Sequence, residues 1–162
     1  MDESSSQLLS NRSDCKQAAT NLILMAKESV FLLTQKLEPE LYNDKEIHQH
    51  LVSLATHNRK TDIRMIAHDT SSASSNGHYL IKLAQRLPTF ALIRCTVTPA
   101  HKRLSESWLI VDNRHFLRIR NLVRYEANLV INNRLECKPL IESFIDIWEA
   151  GQPDQNTRRL SL

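Results

Sequence analysis

A polar segment between His68 and Asn76 carries the side chains best suited to bind an anion. It leads directly into Gly77 and His78, where the spacing predicts the start of a helix. The free backbone N–H groups of a helix N-terminus favour phosphate or carboxylate. We therefore expect an anion site built from Asp69, Ser75, Asn76, Gly77 and His78, with Arg120 as a cationic partner. The alternative is a solvated serine-rich loop, in which Asn76 only caps the helix and Asp69 only starts the loop.

Three arginines form a second candidate for anion binding. An extended segment contains arginines at alternate positions: Arg118, Arg120 and Arg124. If the whole segment is a strand, all three project from the same face of the sheet, because side chains alternate between the two faces. If that face meets a cleft, Arg120 is a phosphate clamp. Otherwise the three are exposed arginines on an edge strand, where they discourage aggregation. Residues 101–124 include six basic and two acidic side chains, so the basic excess of this chain is local.

The histidines and cysteines predict neither a metal nor a cofactor. His48, His50 and His57 lie on one predicted helix, but their spacing matches no zinc-binding pattern. Ser105 and Ser107 lack the flanking glycines and the paired acid of a serine hydrolase. The three cysteines are far apart and odd in number, which favours a reducing cytoplasm over a disulfide framework.

Length and composition predict one domain. The 162 residues match a single domain at roughly 150 residues per domain. We expect a disordered arm over 1–12, one α/β domain over 13–150 and a C-terminal tail over 151–162. A net charge of +3 with few aromatic residues near the arginines does not favour nucleic-acid binding. No apolar run approaches the roughly 20 residues of a membrane helix, so we expect no membrane contact.

Hydrophobic periodicity predicts an alternation of helices and strands. The expected helices cover 14–27, 43–58, 77–87 and 136–150, and the expected strands cover 30–33, 62–67, 90–97, 107–111 and 115–119, with further extended stretches at 122–125 and 129–131. The unbroken apolar run Val30–Leu33 indicates a central strand covered on both faces. Crossover helices make the early strands parallel, and the late hairpin adds antiparallel partners. We predict a three-layer α/β/α sandwich with a mixed, mostly parallel sheet.

This order of elements, with Ser107–Asp112 heading the hairpin, resembles one half-domain of the phospholipase D superfamily. In that superfamily an H-x-K-x-x-x-x-D motif precedes a G-S-x-N segment. One histidine attacks phosphorus, its partner protonates the leaving group, and the lysine and asparagine hold the phosphate oxygens. Aligning Asp112 on the motif aspartate places Ser105 at the histidine and Ser107 at the lysine. The Gly-Ser-x-Asn positions read Ile119, Arg120 and, at the last, Leu122.

The segment Asn76-Gly77-His78, before a helix that ends at Pro88, is similar to an uncharacterised bacterial family of short phospholipase D-like domains. Some proteins of that family are joined to a GNAT-type acetyltransferase. Because full phospholipase D enzymes build one site from two halves, the resemblance implies a homodimer, and it also suggests an acetyltransferase-like partner. We predict a catalytically degenerate binding or protein-interaction module for a phosphate-containing or other anionic ligand. The alternative is a diverged phosphodiesterase or nuclease that uses His78 or His101.

Overall fold

One sheet of eight strands forms the middle of the molecule. The computed structural model describes residues 3–157. In order across the sheet the strands are β1 (Ser5–Leu9), β7 (Glu126–Ile131), β6 (His115–Asn121), β5 (Ser107–Val111), β2 (Ser29–Leu33), β3 (Asp62–Ala67), β4 (Ala91–Cys95) and β8 (Gln152–Pro153). The helices are α1 (Arg12–Met25), α2 (Pro39–Tyr42), α3 (Lys45–His57), α4 (Ser71–Ser75), α5 (Tyr79–Arg86), α6 (Pro99–Lys102) and α7 (Arg134–Ala150), with a 3-10 turn at Gln155–Thr157.

Helices cover both faces of the sheet, which confirms the predicted three-layer sandwich. Residues of α1, α3 and α5 join the sheet in the larger of two buried apolar clusters. On the opposite face α7 forms the second cluster, in which Phe144 stacks on Phe31 of β2 with ring centroids 4.9 Å apart. The guanidinium of Arg64 lies 5.4 Å from the Phe31 ring and 5.5 Å from that of Trp148. All five residues of β2 are buried, as its unbroken apolar run predicts.

The sheet is mixed, as predicted, but mostly antiparallel rather than mostly parallel. The parallel neighbours are β2, β3 and β4, which are joined by crossover helices. The pairs β2 with β5, β5 with β6 and β6 with β7 are antiparallel, and so are the pairings of β1 and β8 at the two edges. The two edge strands β1 and β8, which the prediction did not include, add two antiparallel pairings to the three of β5, β6 and β7.

The prediction of a disordered arm over 1–12 is wrong for the residues that the structure describes. Strand β1 pairs antiparallel with β7 along its whole length. The α1 helix follows at Arg12, and the side chain of Asn11 caps it by accepting a hydrogen bond from the Asp14 N–H at 2.8 Å. The β1 sequence is polar and does not alternate, so it becomes a strand by pairing with the free edge of β7. Residues 1 and 2 of this predicted arm lie outside the described part.

The predicted C-terminal tail is folded as far as the structure describes it. Strand β8 pairs with the end of β4. The buried carboxylate of Asp154 then accepts hydrogen bonds from the Thr70 hydroxyl at 2.7 Å and from the Cys95 thiol at 3.3 Å. Gly151 permits this return of the chain, because a Cβ there would lie 2.9 Å from the carbonyl oxygen of Cys95. Residues 158–162 of the tail lie outside the described part.

Several element boundaries also differ from the predicted ones. The segments 37–42 and 68–76, which lie between predicted helices and strands, contain the short helices α2 and α4. The predicted extended stretch over 122–125 is a turn between β6 and β7, in which Tyr125 has a φ of 55°. The helix expected to start at Gly77 begins two residues later, because His78 is its N-cap.

The carboxylate of Asp112 ties the β5–β6 turn to the start of β2. It accepts hydrogen bonds of 2.9–3.2 Å from the backbone N–H groups of Lys27, Glu28 and Ser29. Asp112 and Asn113 have φ values of 55° and 57°, in the left-handed region, within the tight turn 112–114 that joins β5 to β6. One side chain therefore fixes both where the hairpin turns and where the central strand begins.

Replacing Asp112 with asparagine is expected to lower the free energy of unfolding by about 1–3 kcal/mol, because the amide removes the negative charge and one of the two acceptor oxygens that hold the three backbone N–H groups. The measurement is urea denaturation followed by circular dichroism. Asp146→Asn is the matched control, since it removes the same charge from an exposed position on α7 and should change stability by less than about 0.5 kcal/mol. Equal effects of the two variants would contradict the anchoring role.

Candidate functional site

The structure separates the three positions that align with the phospholipase D motif. Ser105 is exposed in the segment before β5, whereas Ser107 begins β5 and is fully buried. The Ser107 hydroxyl donates a hydrogen bond to the carbonyl oxygen of Leu33 at 3.1 Å. Asp112 lies at the other end of β5, on backbone N–H groups. The two positions that align with the motif histidine and lysine therefore carry one exposed and one internally bonded serine hydroxyl.

Side chains at the carboxyl ends of the parallel strands hold the chain that leads into β5. The amide of Gln35, after β2, donates to the carbonyl oxygens of Leu104 at 2.7 Å and Glu106 at 3.2 Å. His68, after β3, has its Nε2 2.8 Å from the Leu104 carbonyl oxygen and its Nδ1 2.8 Å from the Thr96 hydroxyl. Ligands of open α/β sheets usually bind at this edge. Here its polar groups are used to fix residues 104–106.

A carboxyl group and a phenol are buried next to this edge. Glu38 is 4% exposed, and its Oε1 accepts a hydrogen bond from the Gln35 N–H at 2.8 Å, while its Oε2 has no partner. Burial raises the pKa of the Glu38 carboxyl above its ordinary value. The hydroxyl of Tyr42 is also buried without a partner, and burial together with the nearby Glu38 raises the pKa of this phenol. Burial therefore favours the neutral form of Glu38 more than that of an exposed carboxyl.

His78 has a different role from the anion ligand that the sequence predicts. It is 1% exposed, its Nδ1 accepts a hydrogen bond from the Leu80 N–H at 3.0 Å, and its Nε2 lies 2.9 Å from the carbonyl oxygen of Leu37. Burial lowers the pKa of the imidazole, which keeps it neutral. Both ring nitrogens are used inside the protein, and the helix N-terminus that was expected to hold an anion is capped by the histidine itself.

The other residues of the predicted anion site lie around α4. Asp69 is exposed and accepts hydrogen bonds from the Ser71 hydroxyl and N–H, which lower the pKa of its carboxyl and start α4. Ser75 donates to the Ser71 carbonyl oxygen at 2.8 Å, and Gly77 turns the chain with a φ of 65°. Asn76 ends α4 and does not cap α5. Together with His78 and Lys36 it lines a cavity of about 40 Å³, which is smaller than a typical ligand site.

The predicted arginine row divides into three environments. Arg118 forms a two-point ion pair with Glu106, at 2.6 Å from Nε to Oε1 and 3.2 Å from Nη2 to Oε2. Arg120 points to the same side of β6 and is exposed. Arg124 lies in the turn after β6, where its side chain is 76% exposed and 3.9 Å from the Glu126 carboxylate. The prediction that the arginines project from one face is correct for Arg118 and Arg120. It is wrong for Arg124, because β6 ends at Asn121.

Arg118 and Arg120 line a cavity between the sheet and α7 that does not include Asn76 or His78. The structure therefore does not bring Arg120 together with the other residues of the predicted anion site. Sequence reasoning also missed the partners that α7 and β7 contribute to this cavity, because they lie far along the chain and form no local motif: Asn128, Glu136 and Ser143.

Residues 3–157 contain neither a metal site nor a membrane-spanning helix. No group of three or more His, Cys, Asp or Glu side chains in this range is placed to hold a metal ion. None of the helices in it combines the length and apolar character needed to cross a membrane.

Comparison with known proteins supports the fold. Residues 11–160 match a family described as Domain of unknown function (DUF7931). The chain belongs to this family. No curated protein matches it in sequence.

Solved structures share the architecture at low sequence identity. The phospholipase D family member Nuc from Salmonella typhimurium has a TM-score of 0.66 at 15% identity, over 94% of this chain and 99% of Nuc. Phosphatidylserine synthase from Haemophilus influenzae has a TM-score of 0.61 at 12% identity, over 98% of this chain and 41% of the synthase. The archaeal chromatin protein TrmBL2 has a TM-score of 0.67 at 11% identity, over 92% of this chain and 54% of TrmBL2. The domain therefore has a phospholipase D-like fold and spans about half of the chromatin protein.

Glu38→Gln is expected to reduce the pH dependence of stability. A carboxyl whose pKa is raised on folding stabilises the fold fully below its ordinary value near 4.5, and this contribution is lost as pH rises through the folded-state pKa. Glutamine keeps the acceptor for the Gln35 N–H but cannot ionise. The free energy of unfolding of the wild type should therefore fall relative to that of the variant as pH rises from 4 to 8.

The control for this experiment is Glu142→Gln, which removes an exposed carboxyl on α7, away from Glu38. Its pH profile should run parallel to that of the wild type in urea denaturation. If the pH profile of Glu38→Gln is also parallel to that of the wild type, the pKa of the Glu38 carboxyl is not raised on folding.

Proposed function

We propose that this domain is a binding module with a phospholipase D-like fold and without phosphodiester hydrolysis, and that its ligand is anionic. The observation that carries the proposal is the state of Ser107, which aligns with the motif lysine and has a buried hydroxyl bonded to Leu33. Phosphoryl transfer needs a nucleophile and cations around the phosphate. Ser105 and Ser107 supply neither an imidazole nor an ammonium group at the positions where the resemblance expects them.

The polar edge of the parallel strands supports the same proposal. Gln35 and His68 direct their side chains at the backbone of residues 104–106, so they stabilise the approach to β5. Catalytic groups are instead expected to face the reacting atoms. The anionic ligand is supported by the local basic excess over residues 101–124 and by Arg120, which is exposed and forms no ion pair within the described residues.

A diverged phosphodiesterase is the second candidate, and His101 is the residue that favours it. Its Nδ1 is buried without a hydrogen-bond partner in α6, beside the carboxyl edge of the sheet. His78, the other histidine considered for this role, has both ring nitrogens engaged. A phosphodiesterase built on this chain would thus depend on His101.

Partners and compartment remain predictions. The resemblance implies a homodimer and suggests an acetyltransferase-like partner, and we retain both as proposals. The three free cysteines support the proposal of a reducing cytoplasm, and burial raises the thiol pKa of Cys15 and Cys137 to about 11 and that of Cys95 to about 12. Thiols with such pKa values resist ionisation and oxidation at neutral pH.

The purified protein is expected to hydrolyse bis(p-nitrophenyl) phosphate no faster than a buffer blank, because it lacks the nucleophile and the cation of the superfamily. The assay follows nitrophenolate absorbance for protein passed over two different columns. If the specific activity is the same after each column, the turnover belongs to this protein and not to a contaminant. That result would overturn the binding-module proposal. If His101→Ala then abolished the turnover while the variant kept the thermal midpoint of the wild type, the binding-module proposal would give way to that of a diverged phosphodiesterase.

A further inference from the structure

Polar and aromatic side chains line a cavity between α7 and the sheet, outside the aligned motif positions. Its volume is about 310 Å³, at the lower end of the range for small-molecule sites. Trp108 and Phe116 form part of its wall from β5 and β6, and Pro139 and Leu140 contribute from α7. Since Trp108 points to the opposite face of the sheet from its neighbour Ser107, this cavity is separate from the aligned motif positions.

One wall of the cavity is fixed and electrically neutral. The Glu106 carboxylate accepts two hydrogen bonds from Arg118 and one from the indole N–H of Trp108 at 2.9 Å. The guanidinium carbon of Arg118 also lies 6.0 Å from the centre of the Trp108 ring. These hydrogen bonds lower the pKa of the Glu106 carboxyl against the opposing effect of burial, so the pair stays ionised. Arg118 therefore holds the aromatic wall in place and has little charge left for a ligand.

Arg120 provides the free charge. Its Nε donates a hydrogen bond to the Asn128 side-chain oxygen at 2.7 Å, which orients the planar guanidinium. Within residues 3–157 its two terminal nitrogens make no hydrogen bond or ion pair. A guanidinium held by Nε and open at the other end matches the two oxygens of a carboxylate or a phosphate.

Glu136 is the acidic group of the cavity, and its charge is partly compensated. Its carboxylate lies 3.3 Å from the Asn133 side-chain nitrogen, and it belongs to the first turn of α7, where the helix dipole favours negative charge. Arg120 and Glu136 do not pair with each other. The cavity thus combines a free guanidinium, an aromatic wall and only one compensated acid.

We propose that this cavity binds a small amphiphilic anion, in which an aromatic or aliphatic body lies against Trp108, Phe116 and Leu140 and a carboxylate or phosphate pairs with Arg120. The inference rests on the proposed function as a binding module and adds its site and ligand class. Burial of the apolar body supplies affinity that an inorganic anion lacks, and Arg120 supplies the selection for negative charge.

The two tryptophans allow a direct test by NMR. Phenyl phosphate is titrated into the ¹⁵N-labelled full chain, and the two indole N–H resonances are assigned with Trp108→Phe. The Trp108 resonance should shift saturably, whereas that of Trp148, which packs on Phe144 away from the cavity, should not. Inorganic phosphate has only the anionic group of the probe and phenol only its aromatic ring. Each of them should bind at least tenfold more weakly than phenyl phosphate. Benzoate in the same titration distinguishes a carboxylate from a phosphate as the favoured group.

Arg120→Gln should weaken phenyl phosphate binding by about tenfold or more, because it removes the free charge without emptying the cavity. Arg124→Gln is the matched control, since it removes the same charge from an exposed turn outside the cavity, and affinity should stay within about twofold. The thermal midpoint of each variant confirms that it is folded.

Three results would overturn the site: a Trp108 resonance that neither phenyl phosphate nor benzoate shifts, equal losses in the two arginine variants, or phenol binding as tightly as phenyl phosphate. These failures are distinguishable from failure of the proposed function. If the probe shifts only resonances near Asn76 and His78, the module still binds an anion and only the site is wrong. Hydrolysis of phosphodiesters would overturn the function whatever the NMR result.

Discussion

The hydrogen bonds from three consecutive backbone N–H groups to Asp112 are the constraint on which the rest of the structure depends. They join the end of α1 and the start of β2 to the β5–β6 turn, so the central strand and the hairpin beside it share one register. This role explains why an aspartate stands where the phospholipase D motif has one although the other positions differ. A carboxylate that holds backbone is needed by the fold, whereas a histidine and a lysine are needed only by the reaction.

Internal hydrogen bonds occupy the polar groups at the carboxyl edge of the sheet. Gln35 and His68 satisfy carbonyl groups of residues 104–106, and Ser107 satisfies that of Leu33. Each bond removes an unpaired buried polar group and so stabilises the chain before β5. Glu38, whose Oε2 has no partner, is the exception at this edge, and burial resolves it by favouring the neutral carboxyl.

Sequence patterns predicted those parts of the fold whose signal is local. The apolar run of β2, the hairpin turn at Asp112 and the helical periodicity of α7 each depend on neighbouring residues. Strand β1 was missed because its polar residues become a strand only against β7. At the candidate site, parity correctly placed Arg118 and Arg120 together, but no spacing could link them to Glu136 or Asn128. Glu136 and Asn128 are brought beside the arginines by the direction of α7 and by the pairing register of β7, and both of these depend on the tertiary fold.

The position of the α7 cavity follows from the dimensions of its two walls. Eight strands spaced at about 4.8 Å give a sheet roughly 34 Å wide, whereas one helix covers about 10 Å. The α7 helix starts beside the β5–β6 turn, where the Asn133 N–H donates to the Arg114 carbonyl oxygen, and ends near β4, where Arg94 donates to the Trp148 carbonyl oxygen. Along this diagonal course α7 packs on residues of β2, β3 and β5 and on the near ends of β6 and β7, and it leaves the far ends of β6 and β7 open. A polar cavity forms there because Arg118 and Arg120 occupy β6 positions that apolar residues would fill under full helix cover.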